Sequence, residues 1–92
     1  MNKFDRAAWN AGAGNIDGKN PRIEMTDAAR AAGVKLGATR DQIRELLGAP
    51  DSGGPEADIW YLGQDTVSVD FRRLRVVYDR AGVVTDIQEI IK

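Results

Sequence analysis

Between Thr39 and Pro50 the chain reads TRDQIRELLGAP, and no other stretch restricts the fold as much. Thr39 and Gln42 stand three apart as a capping box, in which each satisfies a backbone N–H that the first turn of a helix leaves without a partner. Ile43, Leu46 and Leu47 share one face at helical spacing, and Gly48 with Pro50 stops the helix. The pattern predicts a helix over 40–47 with one apolar face. Whatever follows must offer that face something to cover.

The flanking segments supply the rest. Asn20 before Pro21 is a helix start, because Asn accepts a backbone N–H as N-cap and Pro at the first helical position loses no internal bond. Met25, Ala28, Ala29 and Ala32 continue the helical spacing up to Gly33, so a first helix is expected over 21–32. Residues 1–20, with Gly12, Gly14 and Gly18 among several Asn and Asp, read as an arm, flexible or loosely docked. Phe4, Ala8 and Trp9 form one amphipathic turn within it, and Trp9 is expected to dock it. Residues 51–56 (DSGGPE) read as a loop.

Ile59, Trp60, Tyr61 and Leu62 favour a strand ending at Gly63. Val67, Val69 and Phe71 alternate with polar residues, then Leu74, Val76 and Tyr78 take over on the opposite parity. That flip requires a bulge or a break near Arg72 and Arg73, and a break is expected. Asp79 to Gly82 make a turn into a last strand carrying Val83, Thr85, Ile87 and Ile91. Pairing Tyr78 with Val83 sets Val76 opposite Thr85, Leu74 opposite Ile87, and Arg75 opposite Asp86. The expected architecture is α+β: two N-terminal helices packed on one face of a three-stranded antiparallel meander (ααβββ), with an irregular arm before a single domain over 21–92.

Composition narrows the chemistry. Among 92 residues there is no cysteine and no histidine, and 13 basic side chains against 14 acidic ones leave a net charge of −1. Disulfides, thiolate metal sites, thiol nucleophiles and the usual general base are absent from this sequence, and the basic excess that draws a protein to nucleic acid is missing. No apolar run is long enough for a signal-peptide core or a membrane span. Gly12, Gly14 and Gly18 lack the spacing of a phosphate loop, and Asn15, Asp17 and Lys19 place a cation where a calcium ligand belongs. Asp51, Asp58, Asp65 and Asp70 read as solvated or turn-forming rather than as a catalytic pair. Ser52 and Ser68 lack an activating base. The expectation is a non-enzyme with no cofactor and no metal.

The stretches 36–51 (LGATRDQIRELLGAPD), 59–63 (IWYLG) and 74–84 (LRVVYDRAGVV) resemble the SmpA/OmlA-like (BamE-like) small lipoproteins, which share a capped helix ending in G-x-P, an aromatic strand and a hairpin with a D-x-x-G-x-V turn. The resemblance covers roughly 36–91 and rests on capping, turning and packing residues. It implies a two-helix, three-strand domain of the bacterial cell envelope, without catalysis. The family's outer-membrane members act as accessory subunits of the machinery that inserts β-barrels. The resemblance favours a periplasm-facing location; a chain complete without a leader would instead be cytoplasmic.

Two surface features are candidates for contact with another protein. Trp60 and Tyr61 must point to opposite faces of their strand. If Ile59 and Tyr61 are buried, Trp60 with Val77 and Val84 makes an exposed apolar patch of the kind interfaces use; alternatively the arm folds back and Trp9 covers it. Arg72, Arg73 and Arg75 form the one basic cluster, its field largely cancelled by Asp86 in the expected register and by Asp70 close in sequence, so that a solvated sheet face is the favoured reading over a grip on an acidic partner or a phosphate. The protein-binding candidates are therefore Trp60, Val77, Val84, Arg73 and Arg75, the expected partner is an envelope protein met through the open sheet face or the edge of the 59–63 strand, and the alternative is a self-associating structural domain.

Overall fold

The structure, a computed structural model, describes residues 4–14, 20–64 and 71–91. The readings made of Asn15, Asp17, Gly18, Lys19, Asp65, Val67, Ser68, Val69 and Asp70 fall outside these. Three short helices, α1 (Arg6–Ala11), α2 (Thr26–Ala32) and α3 (Arg40–Leu47), precede strands β1 (Ser52–Gly54), β2 (Ala57–Gln64), β3 (Phe71–Tyr78) and β4 (Val84–Ile91). The strands form one antiparallel sheet in the order β1-β2-β3-β4. The class is α+β as expected, but the arrangement of two helices on a three-stranded meander is corrected to three helices and four strands.

Each added element has a local cause. Asp5 accepts the backbone N–H groups of Ala7 and Ala8 and so caps α1, which buries Trp9 beside the Phe4 ring. The expected helix over 21–32 is divided at Met25 into a 3-10 turn (Pro21–Glu24) and α2. Asn20 caps the 3-10 turn as its sequence predicts. The division lets the Arg22 side chain run back to Trp9 and β2 while the Ala28 and Ala29 face of α2 meets the core. Strand β1 arises within the segment read as a loop. Gly53, at φ 128°, lies so close to β2 that a Cβ there would stand 2.4 Å from the Ala57 carbonyl oxygen.

Helix α3 follows its sequence closely: Thr39 and Gln42 make the reciprocal capping box, and Gly48 takes φ 78° at the C-terminus. Ile43 and Leu47 on α3, with Trp9, Ala29 and Val34, pack against Trp60, Leu62, Leu74, Val76, Tyr78 and Val84 of the sheet. One layer of helices therefore covers the even-numbered face of β2 and β3.

The hairpin register differs from the expected one. Val76 pairs with Ile87, Leu74 with Glu89 and Arg75 with Gln88, two residues further along β4, and a bulge lies between Val77 and Tyr78. A contact distant in sequence accounts for the shift. The segment before α3 pairs with the start of β4 through Arg40 N to Gly82 O, Val84 N to Ala38 O, Gly37 N to Val84 O and a bridge between Thr39 and Val83. Val83 is thereby withdrawn from Tyr78, which pairs with Val84 instead. A two-residue slip preserves which face each side chain occupies, so the apolar pattern alone does not reveal it.

Candidate protein-binding face

The face of the sheet turned away from the helices is built from the odd positions of β2 and β3. The register lays out three cross-strand rows: Ala57, Val77, Asp86; Ile59, Arg75, Gln88; and Tyr61, Arg73, Ile90. Side chains directly opposite in such rows have Cβ atoms about 5 Å apart, so each row is a continuous surface. Phe71, more than a third exposed, extends the Arg73, Arg75 and Val77 series toward the start of β3. Ile59, Tyr61, Arg73, Arg75, Val77 and Ile90 are all half-buried, which is the state of side chains flanked by neighbours within a sheet but not covered from above. The helix residues of the core, Trp9, Ala29, Ile43 and Leu47, pack with the even-numbered side chains Trp60, Leu62, Leu74, Val76 and Tyr78 on the opposite face.

Its electrostatics depend on the register. Arg75 was expected to face Asp86; it faces Gln88, and Asp86 lies opposite Val77 with its carboxylate accepting from Gln88 Nε2 at 2.7 Å. Among the described residues, no carboxylate makes an ion pair with Arg73 or Arg75. Arg73 and Arg75 thus stand among Ile59, Tyr61, Val77 and Ile90 with no ion pair among the described residues, and Asp86, in the next row, is held by Gln88.

On the other side of the sheet, arginine and aspartate do meet. Asp58, read from sequence as solvated or turn-forming, is only 1% exposed. Its two oxygens accept from Arg40, at 2.6 and 3.2 Å, and from Arg44, at 2.8 and 3.0 Å, and the Tyr78 hydroxyl donates to it at 3.0 Å. Burial pushes the Asp58 carboxyl up, but the donors on Arg44, Arg40 and Tyr78, with the Arg40 charge, outweigh it together and hold the group below its ordinary value. The Tyr78 hydroxyl is pushed well above its ordinary value, first by burial and then by the Asp58 charge. Arg40 also donates to the carbonyls of Gly54 and Pro55 and lies over the Tyr78 ring. Every group here is engaged in joining α3 to β2, β3 and the β1–β2 turn.

A second cluster closes the outer edge of β2. Asp51, also read as solvated, accepts from Tyr61 N at 2.9 Å and from Arg22 Nη1 at 2.6 Å. The Tyr61 carbonyl accepts from Asn20 Nδ2 and Arg22 Nη1, and Arg22 Nε reaches the Trp9 carbonyl at 2.7 Å. With β1 paired beside Ala57, Asp58 and Ile59, this leaves no room for a partner strand along that part of the edge.

The sequence-derived candidates therefore separate. Trp60 and Val84 are buried in the core with Trp9, so the exposed patch that would have combined them with Val77 does not form. Val77, Arg73 and Arg75 share the open face. Ile59, Tyr61, Phe71 and Ile90 join them; the alternation of Trp60 with Tyr61 already required one of that pair to lie outside. A separate surface cleft lies between α2 and α3, lined by Arg6, Lys35, Leu36, Glu45 and Leu46 among others. Among the described residues, no three acidic side chains converge as metal ligands, and no helix is long and apolar enough to cross a membrane. No protein-family model, curated protein or solved structure gives a significant match to this chain.

Proposed function

We propose that this chain is a non-catalytic binding domain that docks another protein on the open face of its sheet. We extend the proposal to a setting in the bacterial cell envelope, in an accessory role in outer-membrane assembly or integrity, on the strength of the SmpA/OmlA-like motifs. The observation that carries the binding role is the row structure of the open face, where Arg73 and Arg75 lie between Tyr61, Ile59, Val77 and Ile90 with no ion pair among the described residues. An aromatic, two arginines and several aliphatic side chains side by side are the composition of an interface core. The buried acid–base groups support the non-catalytic part of the reading, since Asp58 and Asp51 are occupied in joining elements of the fold.

The test is site-specific photocrosslinking. A p-benzoylphenylalanine at position 61 should capture a polypeptide in cells that express the chain, and the same probe at position 36 should not. No adduct from position 61, or equal adducts from both positions, contradicts the proposal.

A second reading, self-association, is favoured by one observation: among the described residues β4 has no strand on its outer side over eight residues, whereas the outer edge of β2 is occupied. Sedimentation at high concentration gives a dimer mass if two β4 edges pair, and a monomer mass if they do not.

A further inference from the structure

We infer that the partner segment held by this face is acidic, carrying carboxylates spaced to meet Arg73 and Arg75. The inference rests on the proposed docking role and specifies its chemistry. Arg73 and Arg75 are two apart on β3, so their side chains leave the same face about 7 Å from one another. An extended segment with an acid at every second residue repeats that distance, and its carboxylates can accept paired N–H bonds from each guanidinium. Tyr61 and Ile90 flank Arg73, while Ile59 flanks Arg75. Covering those side chains removes water from the ion pairs and strengthens them relative to pairs on an open surface.

The covered side of the molecule shows how this chain treats a guanidinium whose duty is structural: Arg22, Arg40 and Arg44 each contact a carboxylate at 2.6 to 2.8 Å. Arg73 and Arg75 have apolar neighbours but make no ion pair among the described residues. A nucleic acid is the weaker occupant on the same observations. Two phosphate contacts give a log–log salt slope of only about −1.4 on a single strand, and the chain's net charge of −1 adds no attraction.

The test uses three fluorescein-labelled probes on the full chain: a ten-residue peptide alternating Asp and Leu, the same peptide with Lys for Asp, and a ten-nucleotide oligo-dT. Anisotropy should show the acidic peptide bound at least tenfold more tightly than the other two. Arg73→Glu with Arg75→Glu should abolish that preference, and Arg73→Lys with Arg75→Lys should keep most of it, with far-ultraviolet circular dichroism unchanged in both. Equal affinity for the acidic and basic peptides, tighter binding of oligo-dT, or indifference to the charge reversal overturns the inference. If the acidic peptide fails while the position-61 crosslink persists, the acidic partner is wrong and the docking face stands; if the crosslink is absent, the docking proposal itself falls.

Discussion

The two sides of the sheet treat arginine differently. On the helix-covered side and at the outer edge of β2, Arg40, Arg44 and Arg22 each meet a carboxylate and fasten elements far apart in sequence, the α3 pair to Asp58 and Arg22 to Asp51. On the open side, Arg73 and Arg75 sit among apolar side chains and make no ion pair with the described residues. The buried charges are Arg22 and Asp58, each 1% exposed, and a buried charge left unpaired is costly, so Asp51 pairs with the first while Arg40 and Arg44 gather on the second; the half-buried Arg73 and Arg75 keep access to water. The contrast separates side chains that hold the molecule together from side chains available to another one.

The strongest challenge to this division comes from the core. Trp60→Ala should lower stability by about 3–5 kcal/mol in urea unfolding, because it empties a site closed by Trp9, Leu74 and the helices; a loss below 1 kcal/mol would mean that Trp60 is not covered. Asp58→Asn should cost about 2–4 kcal/mol at neutral pH by removing the acceptor shared by Arg40 and Arg44. Because the Asp58 carboxyl is held below its ordinary value, its contribution is complete above the ordinary carboxyl range and is lost as pH falls below about 4. The stability gap between wild type and Asp58→Asn should therefore narrow on acidification, and a gap that widened would have the sign wrong.

Smaller effects sharpen the comparison. Thr39→Ala should cost about 1 kcal/mol by removing one half of the capping box. Arg75→Ala should change stability by less than about 0.5 kcal/mol, as for a surface side chain with no structural duty. A loss comparable with that of Asp58→Asn would place Arg75 among the fastening residues and remove the contrast.

What the sequence made legible was local. Capping at Asn20 and Thr39, termination at Gly33 and Gly48, and the hairpin turn at Gly82 each rest on a few neighbouring residues, and all are present. What it concealed depends on partners distant along the chain. Strand β1 is Ser-Gly-Gly, which has no strand preference and pairs only because β2 lies beside it. The hairpin slipped by two because residues 37–40 hold the start of β4, a change invisible to an alternating pattern. Asp51 and Asp58 follow a turn proline and open a strand, so they read as surface acids. One signal did point to Asp58: Arg40 and Arg44 are like charges four apart on α3, an unfavourable arrangement unless both face one carboxylate. For the open face, the parity of Arg73, Arg75 and Val77 was readable, but that Gln88 rather than Asp86 stands opposite Arg75 followed only from the true register.

The most direct measurement is an amide chemical-shift titration of the isotopically labelled chain with the acidic peptide. The largest perturbations are expected at Ile59, Tyr61, Arg73, Arg75, Val77 and Ile90, with α2 and the Leu36 cleft unmoved. Perturbations centred on Leu36 and Leu46, or none on β2 and β3, would contradict it.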